Sequence, residues 1–137
     1  MAWGGFVVGI DTNILIRWLL ADTDDAHQAD RAAELIAQGS EPLLVSIPVV
    51  AECVWLARGI FRQNKAEIIG LLDRLLSAPG LVIAERTAVA AALDSWRAGR
   101  ADFTDHLIAA LNLAAGCATT LTFDKTAAKG PHFTLLT

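Results

Sequence analysis

The chain has 137 residues, 54% hydrophobic and 19% charged, and this composition excludes an extended disordered protein. The formal net charge of −4 argues against a broad basic surface for non-specific nucleic-acid binding, although a local basic rim around an acidic centre remains compatible with it. The length is that of one domain spanning residues 1–137, with enough chain for one sizeable core.

Short apolar runs alternate along the chain with longer segments of helical periodicity. The first run predicts a strand at residues 7–10, and helices are predicted to follow at residues 13–20 and 24–38. Further strands are predicted at residues 43–47, 81–84, 120–123 and 132–136. Further helices are predicted from Ser46 and Pro48 onwards and at residues 64–77, 87–97 and 103–115. This alternation predicts a three-layer α/β/α domain with a central, mainly parallel sheet of about five strands.

The longest apolar runs fall far short of the roughly 18 residues that a membrane-spanning helix needs. The N-terminal apolar stretch has no preceding Lys or Arg and ends at an acid, so we interpret it as a strand rather than a secretory signal. We therefore expect a cytoplasmic protein with no membrane partner. Cys53 and Cys117 lie in apolar segments without CxxC spacing and are expected to be reduced, buried thiols.

Four acidic residues are predicted to lie at one edge of the sheet. Asp11 and Asp124 directly follow predicted strands, and Glu52 and Asp105 lie within about two turns of the start of predicted helices. The carboxyl ends of parallel strands share an edge with the amino ends of the following helices, and ligands usually bind there. Glu52 is surrounded by apolar residues in the sequence, and a charge in such a run usually needs a partner.

Each of these acids also has a purely structural interpretation. Asp11 could cap the first helix, and Asp102 with Asp105 fits the pattern of a helix N-terminus, where negative charge complements the helix dipole. Asp124 could initiate a turn, and Glu52 could lie on the solvated outer face of its helix. The metal-site interpretation therefore depends on the acids acting together.

Acids that converge in this way need a cation. Two unit charges about 4 Å apart repel each other by roughly 4 kcal/mol at an effective dielectric constant of about 20. A set of oxygen ligands without a cysteine or histidine constellation favours Mg²⁺, or Mn²⁺, over zinc. Thr12 and Asn13 beside Asp11, and Thr122 before Asp124, could hydrogen-bond the carboxylates or a phosphate, or could serve only as helix-cap and strand-end residues.

Several segments of the chain resemble, in order, the motifs of PIN-domain ribonucleases. Residues 9–15 (Gly-Ile-Asp-Thr-Asn-Ile-Leu) are similar to the opening motif, and residues 46–52 (Ser-Ile-Pro-Val-Val-Ala-Glu) to the second. Residues 101–110 (Ala-Asp-Phe-Thr-Asp-His-Leu-Ile-Ala-Ala) resemble the third, and Asp124 follows as a fourth acidic position. The length makes the chain similar to VapC-type toxins of bacterial toxin–antitoxin pairs.

This resemblance implies a PIN-type α/β/α fold, metal-dependent cleavage of RNA, a cognate antitoxin that holds the enzyme inactive, and a homodimer. It implies that Asp11, Glu52 and Asp105 bind the principal metal, and that Asp124 completes the site or helps to hold a second ion. Asp105 matches the acidic position of the third motif better than Asp102, which stays open as either a ligand or a helix cap. Basic residues near this edge are candidates for contacts with RNA phosphates or for ordinary solvated positions. These residues are Arg17, Arg100 and Lys125.

Two other functions are compatible with the sequence. The first is a catalytically weak PIN-like module that binds a partner, with Trp18, Trp55 and Trp96 forming either an apolar docking surface or part of the core. The second is a magnesium-dependent phosphatase. The phosphatase is disfavoured because its chemistry needs an Asp-x-Asp pair, whereas Asp11 is followed by Thr12 and Asn13.

Overall fold

The computed structural model describes residues 7–21, 25–38 and 41–137, so the predicted helix start at Asp24 lies outside the described residues. The described residues group into two compact units, the first ending at Ala84 and the second running from Glu85 to Thr137. None of the helices described is both long enough and apolar enough to cross a membrane.

A parallel sheet of three short strands organises the first unit. Its elements are β1 (Val8–Gly9), α1 (Thr12–Leu19), α2 (Ala26–Gln38), β2 (Leu43–Val45), α3 (Ile47–Gly59), α4 (Lys65–Ser77) and β3 (Leu81–Ile83). The strand order is β1-β2-β3, and Leu43 lies opposite both Val8 and Leu81. Side chains alternate between the two faces of a strand, so Leu43 and Val45 are buried while Leu44 between them is exposed.

Local sequence signals define the helix ends of the first unit. Helix α3 begins after Ser46 with Pro48 in its first turn, where a proline costs no hydrogen bond. Helix α4 begins with a capping box: the Asn64 side chain accepts from the Glu67 backbone N–H at 2.8 Å, and the Glu67 carboxylate accepts from the Asn64 N–H at 3.0 Å. Both helices therefore start where the sequence predicts.

Arg74 ties α4 to the end of α1. Its Nη1 donates to the carbonyl oxygen of Leu19 at 3.1 Å, and its guanidinium lies 4.8 Å from the centre of the Trp18 ring. The first contact satisfies a carbonyl that the end of a helix leaves without a partner, and the second is a cation–π contact. Trp18 therefore takes part in packing within the fold.

Two packed helices and a pair of parallel strands form the second unit. Its elements are α5 (Arg86–Ala98), α6 (Phe103–Ala114), β4 (Thr120–Thr122), a short 3₁₀ helix (Ala127–Lys129) and β5 (Phe133–Leu135). Thr120 lies opposite Phe133 in the β4–β5 pair. The rings of Trp96 and Phe103 meet edge to face, with centroids 5.6 Å apart, and both residues are fully buried. Trp96 is thus a core residue of the interface between α5 and α6.

The mixed α/β class, the six helices and the parallel pairing are as predicted, but the single sheet of about five strands is wrong. The five strands form a three-stranded sheet and a separate two-stranded sheet. Apolar runs locate strands, whereas the choice of pairing partner depends on contacts distant in the sequence, so strand spacing cannot distinguish the two arrangements.

The two cysteines lie in different surroundings. Cys53 is buried in α3, and this burial, together with the nearby charge of Glu52, raises the pKa of its thiol to about 12. Cys117 is exposed shortly after α6, beyond Gly116, whose φ of +98° suits the end of a helix. The expectation of two buried thiols is therefore wrong for Cys117, because α6 ends before that residue.

Candidate metal centre

Asp11 lies where the first strand passes into the first helix. Its Oδ1 accepts a hydrogen bond from the Ile14 backbone N–H at 3.1 Å, so Asp11 caps α1. The preceding residue, Ile10, donates to the carbonyl of Leu44 at 3.0 Å, which extends the pairing of β1 with β2. Because these strands are parallel, Asp11 lies at the same edge as Ser46, the residue that precedes α3.

Glu52 projects from the second turn of α3, which starts at this edge. Its side chain is exposed, whereas Cys53 and Val54 beside it are buried, so the outer-face position considered from the sequence is the one it takes. An exposed carboxylate is accessible to a solvated ion. Val50, Cys53 and Val54 are buried on other faces of the helix, whereas Trp55, three residues from Glu52, is exposed like it.

The two residues that follow Asp11 have different environments. Thr12 is buried as the first residue of α1, and Asn13 is exposed. Asn13 lines a groove of about 290 Å³ between α1 and α2, together with Arg17 and Arg31. Arg17 is thus beside Asn13 on α1, one turn further from Asp11.

In the second unit, Asp102 and Asp105 lie at the start of α6. Asp102 occupies the N-cap position, but its carboxylate makes no capping hydrogen bond with the helix. Asp105 is in the first turn and is half-buried. Asp102 is therefore the N-cap residue by position, but its side chain does not cap the helix by a hydrogen bond.

Asp124 organises the turn that follows β4. Its Oδ1 accepts from the backbone N–H groups of Thr126 and Ala127, at 2.8 and 3.3 Å. Its own backbone N–H donates to the Thr122 hydroxyl at 3.0 Å. Asp124 thus has the turn role considered from the sequence, and Thr122 fixes its backbone. Lys125 beside it is exposed.

A pocket of about 400 Å³ lies beside both acidic segments of the second unit. It is lined by Ser95, Arg100, His106, Thr126 and Lys129, together with small apolar residues. His106 directly follows Asp105, and Thr126 is hydrogen-bonded to Asp124. Residues next to Asp105 and near Asp124 in the chain therefore line one cavity, which we call the basic pocket.

Within the basic pocket, sequence reasoning identified only Arg100 as a candidate. Lys129 and Ser95 were missed because one lies on a 3₁₀ helix and the other on α5. No motif or periodicity connects these two residues in the sequence; only the tertiary structure brings them to the same cavity.

The donor chemistry of the four acids suits a hard divalent cation. In Asp11 and Asp124 the Oδ1 atom accepts hydrogen bonds from the backbone, which orients the carboxylate, and the other oxygen takes no part in these bonds. Oxygen donors of this kind favour Mg²⁺ or Mn²⁺. Asp11 and Glu52 belong to the first unit, and Asp105 and Asp124 to the second. In the part of the chain that the structure describes, no three His, Cys, Asp or Glu side chains are grouped closely enough to hold an ion.

Comparison with known families shows that the PIN domain matches residues 8–131, and the chain belongs to this family. The match extends over both units and includes all four acids. PIN domains have a three-layer α/β/α fold and are generally metal-dependent nucleases that bind RNA. A search of curated proteins gave no match to this sequence.

Proposed function

We propose that this protein is a metal-dependent endoribonuclease that cleaves RNA phosphodiester bonds and acts as the toxin of a toxin–antitoxin pair. The observation that carries the proposal is that the PIN-domain match over residues 8–131 includes all four acids of the segments that resemble the family's motifs. A relative that only binds a partner would have no need to keep all four carboxylates. The cytoplasmic location inferred from the sequence stays a prediction.

In this proposal Asp11, Glu52 and Asp105 bind the principal ion, and Asp124 completes the site or helps to hold a second ion. Mg²⁺ is the proposed metal, with Mn²⁺ as a substitute. A divalent ion bound there would lower the pKa of a water and neutralise charge that develops on the phosphate. The chain orients two of the ligands in advance, because backbone N–H groups hold Asp11 and Asp124 by one oxygen each.

The proposed protein partners are a cognate antitoxin and a second copy of the chain. Trp55 on α3 is 70% exposed and Ile60 at the end of α3 is 65% exposed, which supports a protein contact on this helix. The same observation favours the second candidate function, a module whose main role is to bind a partner. The phosphatase alternative has no comparable support, since Asn13 stands where its second Asp would be.

The proposal is tested with the chain purified free of any partner and incubated with structured RNA in Mg²⁺ or in EDTA. We expect cleavage in Mg²⁺, none in EDTA, and none by Asp11→Asn, because Asn keeps the shape of the side chain without its charge. Asp30→Asn is the matched control, since Asp30 is an exposed acid on α2. It should cut as the wild type does.

Cleavage that persists in EDTA, or that survives the loss of the Asp11 carboxylate, would contradict the metal-dependent mechanism. An absence of cleavage under all conditions, combined with a dimer or antitoxin complex that Trp55→Glu disrupts, would favour the partner-binding module instead.

A further inference from the structure

We propose that the basic pocket is a phosphate subsite, which holds an RNA phosphodiester neighbouring the one that is cut. The inference rests on the proposed nuclease function, and it adds a place where the substrate backbone binds. Its key residues are Arg100 and Lys129, with hydroxyl groups supplied by Ser95 and Thr126.

The charge of the pocket is the first argument. Arg100 comes from the connection between α5 and α6, and Lys129 from the 3₁₀ helix, so two separate parts of the chain bring positive charge to one cavity. Among the lining residues that the structure describes there is no acidic side chain. The residues that the structure describes provide no ion-pair partner for either cation. In a chain of net charge −4, this cavity is a local basic site of the kind that the composition leaves room for.

The chemistry of the lining favours a phosphate. A guanidinium offers a planar fork of N–H donors that matches phosphate oxygens, and an ammonium adds a compact point charge. The Ser95 and Thr126 hydroxyls can donate further hydrogen bonds. A volume of about 400 Å³ is within the range of small-ligand sites and admits a phosphate with part of its sugar.

The position of the pocket links it to the candidate metal ligands. Thr126 lines the cavity, and its backbone N–H is the donor that lies 2.8 Å from Asp124 Oδ1. Ala101 and His106 also line the cavity, and in the chain they flank the start of α6, which carries Asp102 and Asp105. A strand of RNA that presents one phosphate to these acids thus has a cationic cavity for a neighbouring phosphate.

The test measures the affinity of a short unstructured RNA for the full-length protein in EDTA, at several salt concentrations, so that binding is read independently of cleavage. We expect Arg100→Ala/Lys129→Ala to weaken binding at least tenfold. Log affinity falls as log salt rises, and the magnitude of this negative slope should decrease by about 1.4 in the variant. Each lost contact with single-stranded nucleic acid contributes about 0.7 to that magnitude. The control is Arg97→Ala, which removes an exposed arginine of α5 that pairs with Asp94 at 3.7 Å. It should change affinity less than about twofold and leave the slope unaltered.

An unchanged slope and affinity in the double variant would overturn the proposal. A double variant that no longer binds an acidic peptide but still binds RNA as the wild type does would also overturn it. That result would assign the pocket to an acidic protein segment. If thermal melting shows that the double variant is unfolded, Lys129→Gln alone is measured instead and should decrease the magnitude of the slope by about 0.7. Wild-type protein that binds RNA with the full slope but never cuts it would refute the nuclease and leave the subsite standing.

Discussion

Replacing Asp105 by Asn should lower the rate of RNA cleavage at saturating Mg²⁺ at least about 100-fold, which is a rise of about 2.7 kcal/mol in the activation barrier. Asp102→Asn should change the rate less than about threefold. Both acids lie within one turn at the start of α6, and both substitutions remove one negative charge from that helix end. The expected loss of helix stabilisation, about 0.3–1 kcal/mol, is therefore similar for the two. A large difference in cleavage rate between the two folded variants would therefore not come from the loss of helix stabilisation.

The measurement is the initial cleavage rate of each variant over a range of Mg²⁺ concentrations, accompanied by thermal melts to show that both variants are folded. Equal losses in the two variants would mean that both acids act on the metal or that neither does. A larger loss for Asp102→Asn would reverse the assignment that the third motif gave to Asp105.

Replacing Gly99 by Ala should lower the free energy of unfolding by about 1–3 kcal/mol. A Cβ at this position would lie 2.8 Å from Cε1 and Nε2 of the His106 ring and 3.0 Å from the Ser95 carbonyl oxygen. His106 is buried, so its ring has little room to move. With φ at −94°, Gly99 has a backbone conformation open to any residue, and the constraint is therefore one of space.

Gly70→Ala is the matched control for Gly99→Ala. A Cβ at Gly70 meets nothing within 4 Å in α4, so this variant should be more stable by about 0.5–1 kcal/mol through helix propensity. Chemical denaturation of both variants checks the opposite signs. A Gly99→Ala protein as stable as the wild type would show that the His106 ring has another position available.

Local signals were sufficient to predict most elements of the fold. The apolar runs located the five strands described, Ser46 with Pro48 located the start of α3, and helical spacing located α4. Sheet pairing was not predictable, because a strand of three residues carries no information about which distant strand it joins.

The sequence also could not predict which tryptophan side chains are buried and which are exposed. Trp55 and Trp96 both lie in helices of mixed character, yet the first is 70% exposed and the second 2%. Which face of a helix is covered depends on the neighbours that the fold supplies. For the same reason no sequence motif predicts the basic pocket, whose residues come from separate elements. The four acids were predicted because each lies in a short contiguous motif.

We propose that Asp11 and Asp105 are both ligands of the catalytic metal, and Mn²⁺ binding measured by calorimetry tests this assignment without relying on RNA cleavage. Titrations would compare the wild type with Asp11→Asn, Asp105→Asn and Asp94→Asn, the last being a surface control on α5. We expect Asp11→Asn and Asp105→Asn each to weaken the tightest Mn²⁺ site at least tenfold, and the control to leave it unchanged. Wild-type Mn²⁺ affinity in either Asp11→Asn or Asp105→Asn would contradict the claim.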